Sequence, residues 1–205
     1  MKFKRTERIG AIVKILSDNP NKIYTLSFFT EKFNAAKSTI SEDLLVVKDV
    51  FEKLELGRVI TISGAAGGVK YIPKTSIEEN KQFLMELCEK INDDSRKLSG
   101  GFLYLIDLIY DPTIVSKIGK IFASNIDYSD ADYVVTMETK GIPMALMTAK
   151  AMTLPLVIIR KDMKVSEGST LSMTYVTGDN SKVESMSLPR KAIKPGSKVI
   201  LIDDF

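Results

Sequence analysis

Apolar residues recur at helical spacing from the start of the chain. Ile9, Ile12, Val13, Ile15 and Leu16, with Lys14 on the other side, predict a helix over 8–17, because side chains three and four apart share one face. Asp18, Asn19, Pro20 and Asn21 end it with turn chemistry. A short second helix carries Leu26, Phe28, Phe29 and Phe33, with Thr25 or Ser27 as its cap. After a compact break at 34–37, Ser38 opens a longer helix striped with Ile40, Leu44, Val47, Val50, Phe51 and Leu54. Past Leu56 and Gly57 the period falls from roughly 3.6 to roughly 2 residues. Residues 58–62 and 69–72 read as two strands around a glycine-rich turn at 63–68. Helix, short helix, tight turn, longer helix and hairpin is the order of a winged helix-turn-helix.

Residues 73–76 read as a boundary that divides the chain into domains 1–74 and 75–205. A charged amphipathic helix is expected over 77–97, with Phe83, Leu84, Leu87 and Ile91 on one side; it either joins the domains or packs at a dimer seam. The apolar run 102–106 reads as a strand. Pro112 starts another helix that turns Ile114, Val115, Ile118, Ile121 and Phe122 inward. A β-α-β order follows: strand 133–137, loop 138–143, helix 144–152, strand 154–159. Such alternation implies a parallel sheet with right-handed crossovers. Residues 160–170 read as a flap over a ligand, and 171–176, 184–188 and 199–202 as further strands. Val199, Ile200, Leu201 and Ile202 are aliphatic in succession, which predicts a strand buried on both faces.

Composition narrows the chemistry. The 205 residues are 44% hydrophobic and contain no histidine, which removes Ser-His-Asp and Cys-His catalysis and most zinc sites. One cysteine, Cys88, excludes an intrachain disulfide and fits a reducing cytoplasm. No apolar run is long enough to span a membrane. The net charge of +3 is uneven: residues 1–74 hold 13 Lys and Arg against 8 Asp and Glu, while residues 75–205 hold 16 against 18. A basic front suits an anionic polymer such as DNA.

The candidate DNA contacts follow from this pattern. Lys2, Lys4, Arg5, Arg8, Lys37, Arg58 and Lys70 are candidates for phosphates, and Ser38, Thr39 and Ser41, on the first turns of the longer helix, for base edges. Glu42 and Asp43 count against an anionic partner unless they satisfy the helix N-terminal amides, with Ser38 in a capping arrangement. In the second half, Thr139, Lys140 and Gly141 fall between a strand end and a helix start. That place suits a pyrophosphate, although an ordinary βα turn looks the same. Arg160 follows the next strand, where it meets phosphate or is simply solvated. Asp203 and Asp204 stand at the carboxyl end of the last strand, where open α/β sheets bind ligands.

Residues 199–205 resemble the opening of the phosphoribosyl-pyrophosphate motif of type I phosphoribosyltransferases, an aliphatic strand followed by two acids. The motif is interrupted before its small phosphate loop, so the chain is expected to be truncated at its C-terminus. Phe28 and Phe29, Lys37 and Ser38 through Ser41 to Leu44, and residues 64–73, 139–143, 160–162, 167–170 and 201–205 together resemble the purine operon repressor family of Gram-positive bacteria. The resemblance implies a winged helix-turn-helix domain fused to a phosphoribosyltransferase-like parallel-sheet domain, an α/β chain overall. It implies a cytoplasmic, homodimeric repressor of purine biosynthesis genes that binds operator DNA. Its effector would be phosphoribosyl pyrophosphate or the alarmone ppGpp, with no cofactor, metal or transferase activity. Asp203 and Asp204 would then meet ribose hydroxyls, Thr139, Lys140 and Gly141 a diphosphate, and Phe205 and Phe102 the nucleobase side. The alternatives are an active purine phosphoribosyltransferase with an accessory N-terminal domain, or a structural dimer whose winged helix contacts protein.

Overall fold

The computed structural model describes residues 3–64, 67–161, 168–177 and 182–204. The chain divides into two compact units, Met1–Cys88 and Glu89–Phe205.

The first unit runs α1 (Arg5–Asp18), α2 (Leu26–Phe33), α3 (Lys37–Lys53), β1 (Gly57–Ile62), β2 (Gly68–Pro73) and most of α4 (Ile77–Ile91). This is the expected three-helix-plus-hairpin order. Ile12, Leu16, Phe29, Phe33, Ile40, Val47, Phe51, Val59 and Val69 form its core. Each of the three helices and both strands contributes to it, so the apolar stripes explain the assembly. The hairpin is docked by mutual backbone bonds between Tyr24 and Val69, at 2.9 and 2.8 Å. Gly68 permits that approach, since a Cβ there would overlap the Tyr24 carbonyl.

Two helix starts differ from expectation. α1 begins earlier, at Arg5, where the Lys4 amide donates to Glu7 Oε2 at 2.7 Å. α3 begins at Lys37 with Ala36 as its extended N-cap, so Ser38 lies inside the helix and does not cap it. The left-handed Asn34, at φ 46°, ends α2, and the break spans 34–36, one residue fewer than the expected 34–37. Thr25, not Ser27, caps α2, accepting from the Phe28 amide at 3.2 Å.

The expected helix 77–97 stops at Ile91. Asp93 accepts from the Ser95 amide at 2.8 Å, a local turn that competes with continued helix. The expected strand 102–106 is also absent. Leu98 and Phe102, and Arg96 and Tyr104, pair across a tight loop, and a short helix α5 (Ile106–Ile109) follows. None of residues 102–106 is buried: Phe102 is 69% exposed and Tyr104 46%. The run mimicked a core strand only in composition.

The rest of the second unit comprises α6 (Pro112–Asn125), β3 (Tyr133–Met137), α7 (Ile142–Met152), β4 (Leu156–Ile159), β5 (Thr170–Thr177), β6 (Lys182–Pro189) and β7 (Val199–Leu201). The parallel sheet has the order β4-β3-β7, while β5 and β6 form a separate antiparallel hairpin. α6 and α7 pack closely because Gly119 lies against the α7 backbone at Met147 and Thr148. Val134, Ala145, Ala149, Met152 and Ile202 make the core beneath them. The expectation that β7 is buried on both faces fails. Ile200 and Ile202 join the core, but Leu201 is 71% exposed. Among the described residues β7 pairs with β3 alone.

Candidate DNA interface and ligand-binding turn

In the first unit, Lys37 and Ser38 are exposed at the head of α3, and Thr39 and Ser41 are half-buried. The Ser41 hydroxyl donates to the Lys37 carbonyl at 2.9 Å, which leaves its oxygen as an acceptor for an outside donor. In the hairpin, Arg58 pairs opposite Ile72 and Ile60 opposite Lys70. Alternation therefore puts Arg58 and Lys70 on one face, opposite the face that buries Val59 and Val69. The N-terminal cations divide. Lys4 and Arg5 are exposed, but Arg8 is not available for phosphate: its side chain is 11% exposed and bonded to Asp43 at 2.6 Å. Asp43 thus faces α1 and does not satisfy amides at the start of α3. Lys2 lies outside the described residues.

In the second unit, the β3–α7 connection and the end of β7 come together. Parallel register sets Val135 beside Leu201, and the Ile202 amide donates to the Val135 carbonyl at 2.9 Å. Asp203 consequently lies alongside Thr136 and Met137; the Met137 amide donates to its Oδ2 at 3.2 Å. Gly141, the N-cap of α7, packs so tightly that a Cβ would overlap Asp203 Oδ1. A side chain here would have to displace the Asp203 carboxylate; φ, at −67°, sets no demand for glycine. The peptide between Glu138 and Thr139 is cis.

Asp204 donates its amide to Asp203 Oδ1 at 3.0 Å. Burial, then the hydrogen bond and charge of Asp203, push its carboxyl above the usual carboxylate range, while Lys140 opposes the shift. Lys140 also lines a cleft of about 380 Å³ with Leu98, Phe102, Tyr104 and Ile106. The expected residues Phe102 and Lys140 therefore share one cleft, and Gly141 and Asp203 touch.

Arg160 is engaged within the fold. Its Nη1 donates to Glu138 Oε2 at 3.2 Å, and the Lys161 amide donates to Glu138 Oε1 at 2.7 Å. Met137 and Ile159 are register partners, so the next residues of the two strands, Glu138 and Arg160, emerge side by side. Sequence reading gave Glu138 no role; an acid and a base each following a strand of a β-α-β unit was the available signal. Phe205 and residues 162–167 of the expected flap lie outside the described residues.

The family described as bacterial purine repressor, N-terminal, matches residues 4–73. The phosphoribosyl transferase domain matches residues 106–205. The purine biosynthesis transcriptional repressor of Bacillus subtilis is 44% identical over 205 residues, which is all of this chain and 72% of that protein. The chain belongs to the bacterial purine repressor family. A purine biosynthesis transcriptional activator of Lactococcus lactis is 38% identical, over 99% of this chain and 75% of its own length, so the family contains regulators named with opposite signs. Among solved structures, adenine phosphoribosyltransferase of Thermoanaerobacter pseudethanolicus covers 59% of this chain and 70% of its own at a TM-score of 0.50 and 21% identity. That likeness shows the fold. Membership in the purine repressor family accounts for both halves of the chain in one protein.

Proposed function

We propose that this protein is a transcriptional repressor of purine biosynthesis genes, working as a cytoplasmic homodimer. Residues 1–74 form its winged-helix DNA-binding domain and residues 75–205 its effector-binding and dimerisation domain. Lys37, Arg58 and Lys70, with Lys4 and Arg5, neutralise operator phosphates; Ser38, Thr39 and Ser41 approach base edges. In the second domain Asp203 and Asp204 take ribose hydroxyls, the turn at Thr139, Lys140 and Gly141 takes a diphosphate, and Phe102 borders the base. Arg160 and Glu138 hold that turn. Phosphoribosyl pyrophosphate or ppGpp is the effector, bound without transfer chemistry.

The observation that carries this reading is the contact of Asp203 with Gly141, in a family whose named members regulate purine biosynthesis. Two acids and a lysine-bearing turn suit the two ends of a ribose diphosphate. An effector acts only by preferring one of two arrangements with different DNA affinity.

The test titrates a duplex carrying a purine-gene promoter with the protein, with and without each nucleotide, across a salt series. Steep salt dependence and an effector-dependent change in affinity are expected. A flat salt response removes the DNA reading, and purine-dependent release of pyrophosphate favours an active transferase. Transcription from the same promoter, with and without the protein, distinguishes repression from activation.

A further inference from the structure

An acid on a helix that faces DNA repels phosphate unless something neutralises it. Asp43 is such an acid, in the second turn of α3, with a side chain only 1% exposed. Two guanidiniums converge on it from α1. Arg8 Nε donates to Oδ2 at 2.6 Å and Nη2 to Oδ1 at 3.3 Å. Arg5 Nε stands 3.5 Å from Oδ1. Arg8 reaches further, donating from Nη1 to the Phe3 carbonyl at 3.0 Å. The Phe3 ring in turn lies edge-on to Phe33, with centroids 5.3 Å apart.

The two arginines differ in what they have left to offer. Arg8 is 11% exposed and spends its fork on Asp43 and Phe3. Arg5 is 60% exposed and meets Asp43 through Nε. A guanidinium carries five N–H donors in a fixed plane, so Arg5 keeps its terminal nitrogens for another anion. One carboxylate between two guanidiniums leaves the cluster with one positive charge.

We propose that Asp43 is a positioning residue for DNA binding: it fixes the start of α1 to α3 and aims Arg5 at a phosphate. This rests on the DNA-binding reading above. Asp43 is the internal half of a relay whose external half is Arg5, and Arg8 is the rivet that closes it. Rim charges normally lose affinity to their own flexibility; an arginine already held through one nitrogen has less freedom to lose on contact.

The experiment measures promoter-duplex affinity by fluorescence anisotropy over a salt series, using the whole chain. Arg5→Gln is expected to lower the slope of log K against log salt by about 0.9, the release of one counterion, with the thermal midpoint unchanged. Arg5→Lys keeps the charge and therefore the slope, but loses the Nε anchor; a loss of at least threefold in affinity is expected at every salt concentration. Asp43→Asn, combined with Arg5→Gln in a cycle, is expected to lose less than the sum of the single losses. If Asp43→Asn fails to fold, the two Arg5 variants decide. A wild-type slope in Arg5→Gln, wild-type affinity in Arg5→Lys, or additive losses overturns the proposal. Wild-type protein that binds no duplex at all instead overturns the DNA-binding reading on which it rests.

Discussion

The backbone amide of Met137 donates to Asp203 Oδ2 at 3.2 Å, so an acid at the end of one parallel strand is held by the end of its neighbour. The same carboxylate occupies the space that a side chain at Gly141 would take. Strand register, and not loop sequence alone, is therefore what sets the acid against the turn.

Gly141→Ala should separate the two. Its Cβ would meet Asp203 Oδ1 and the Thr136 hydroxyl, and overpacking of this kind costs about 1–3 kcal/mol. Calorimetry with phosphoribosyl pyrophosphate is expected to show binding weakened at least tenfold, with unliganded DNA affinity unchanged. Wild-type ligand affinity in this variant would remove the turn from the site.

Asp204 supplies a pH dependence. Its folded pKa is raised by burial and by Asp203, so the native state holds the proton more tightly than the unfolded chain. The associated stability is present below the ordinary carboxylate value of about 3.9 and is lost as pH rises through the folded value. Asp204→Asn, neutral throughout, is expected to melt above wild type near neutral pH, with the advantage shrinking towards about pH 4. A difference in calorimetric Tm that does not change with pH would show that the carboxyl is unperturbed.

Arg58 and Lys37 are exposed on the hairpin and on α3. Each changed to Ala is expected to lower the salt slope of duplex binding by about 0.9, whatever the base sequence. Ser38→Ala should instead weaken binding to the promoter more than to an unrelated duplex. Equal slopes for wild type and Arg58→Ala would take the hairpin out of the interface.

Phe29 is fully buried where α2 meets the other helices and the hairpin, stacked on Phe33 and tilted against Tyr24. Phe29→Ala is expected to cost about 3–5 kcal/mol. Urea unfolding followed through DNA binding reads that loss, and a cost below about 1 kcal/mol would contradict the packing.

Much of this was legible in the spacing of apolar residues. Ile40, Leu44, Val47 and Phe51 fall on the buried side of α3 as their period requires, and the switch to alternation at Gly57 marks the hairpin. The β-α-β order predicted the parallel pairing of β3 with β4. What failed did so where composition substitutes for partners. Residues 102–106 have the apolar content of a core strand, but no neighbouring strand pairs with them there among the described residues. Leu201 looked interior because its neighbours are aliphatic, yet among the described residues β7 pairs with β3 alone. The destination of Arg8 was hidden for another reason. Its partner Asp43 is 35 residues away, and charge counting treats both as surface. Arg160 was similarly read as open to phosphate or solvent, because only strand register shows that Glu138 emerges beside it.

The separation of 66 positions between Met137 and Asp203 carries a consequence for biosynthesis. On the ribosome, β3 and its turn leave the exit tunnel well before the strand that delivers the acids, with α7, β4 and a hairpin made in between. Until that later strand docks, Gly141 has empty space beside it and the turn stands without its acids. The turn and the acids packed on it are thus joined late in the synthesis of this stretch, after the first unit has already had time to fold.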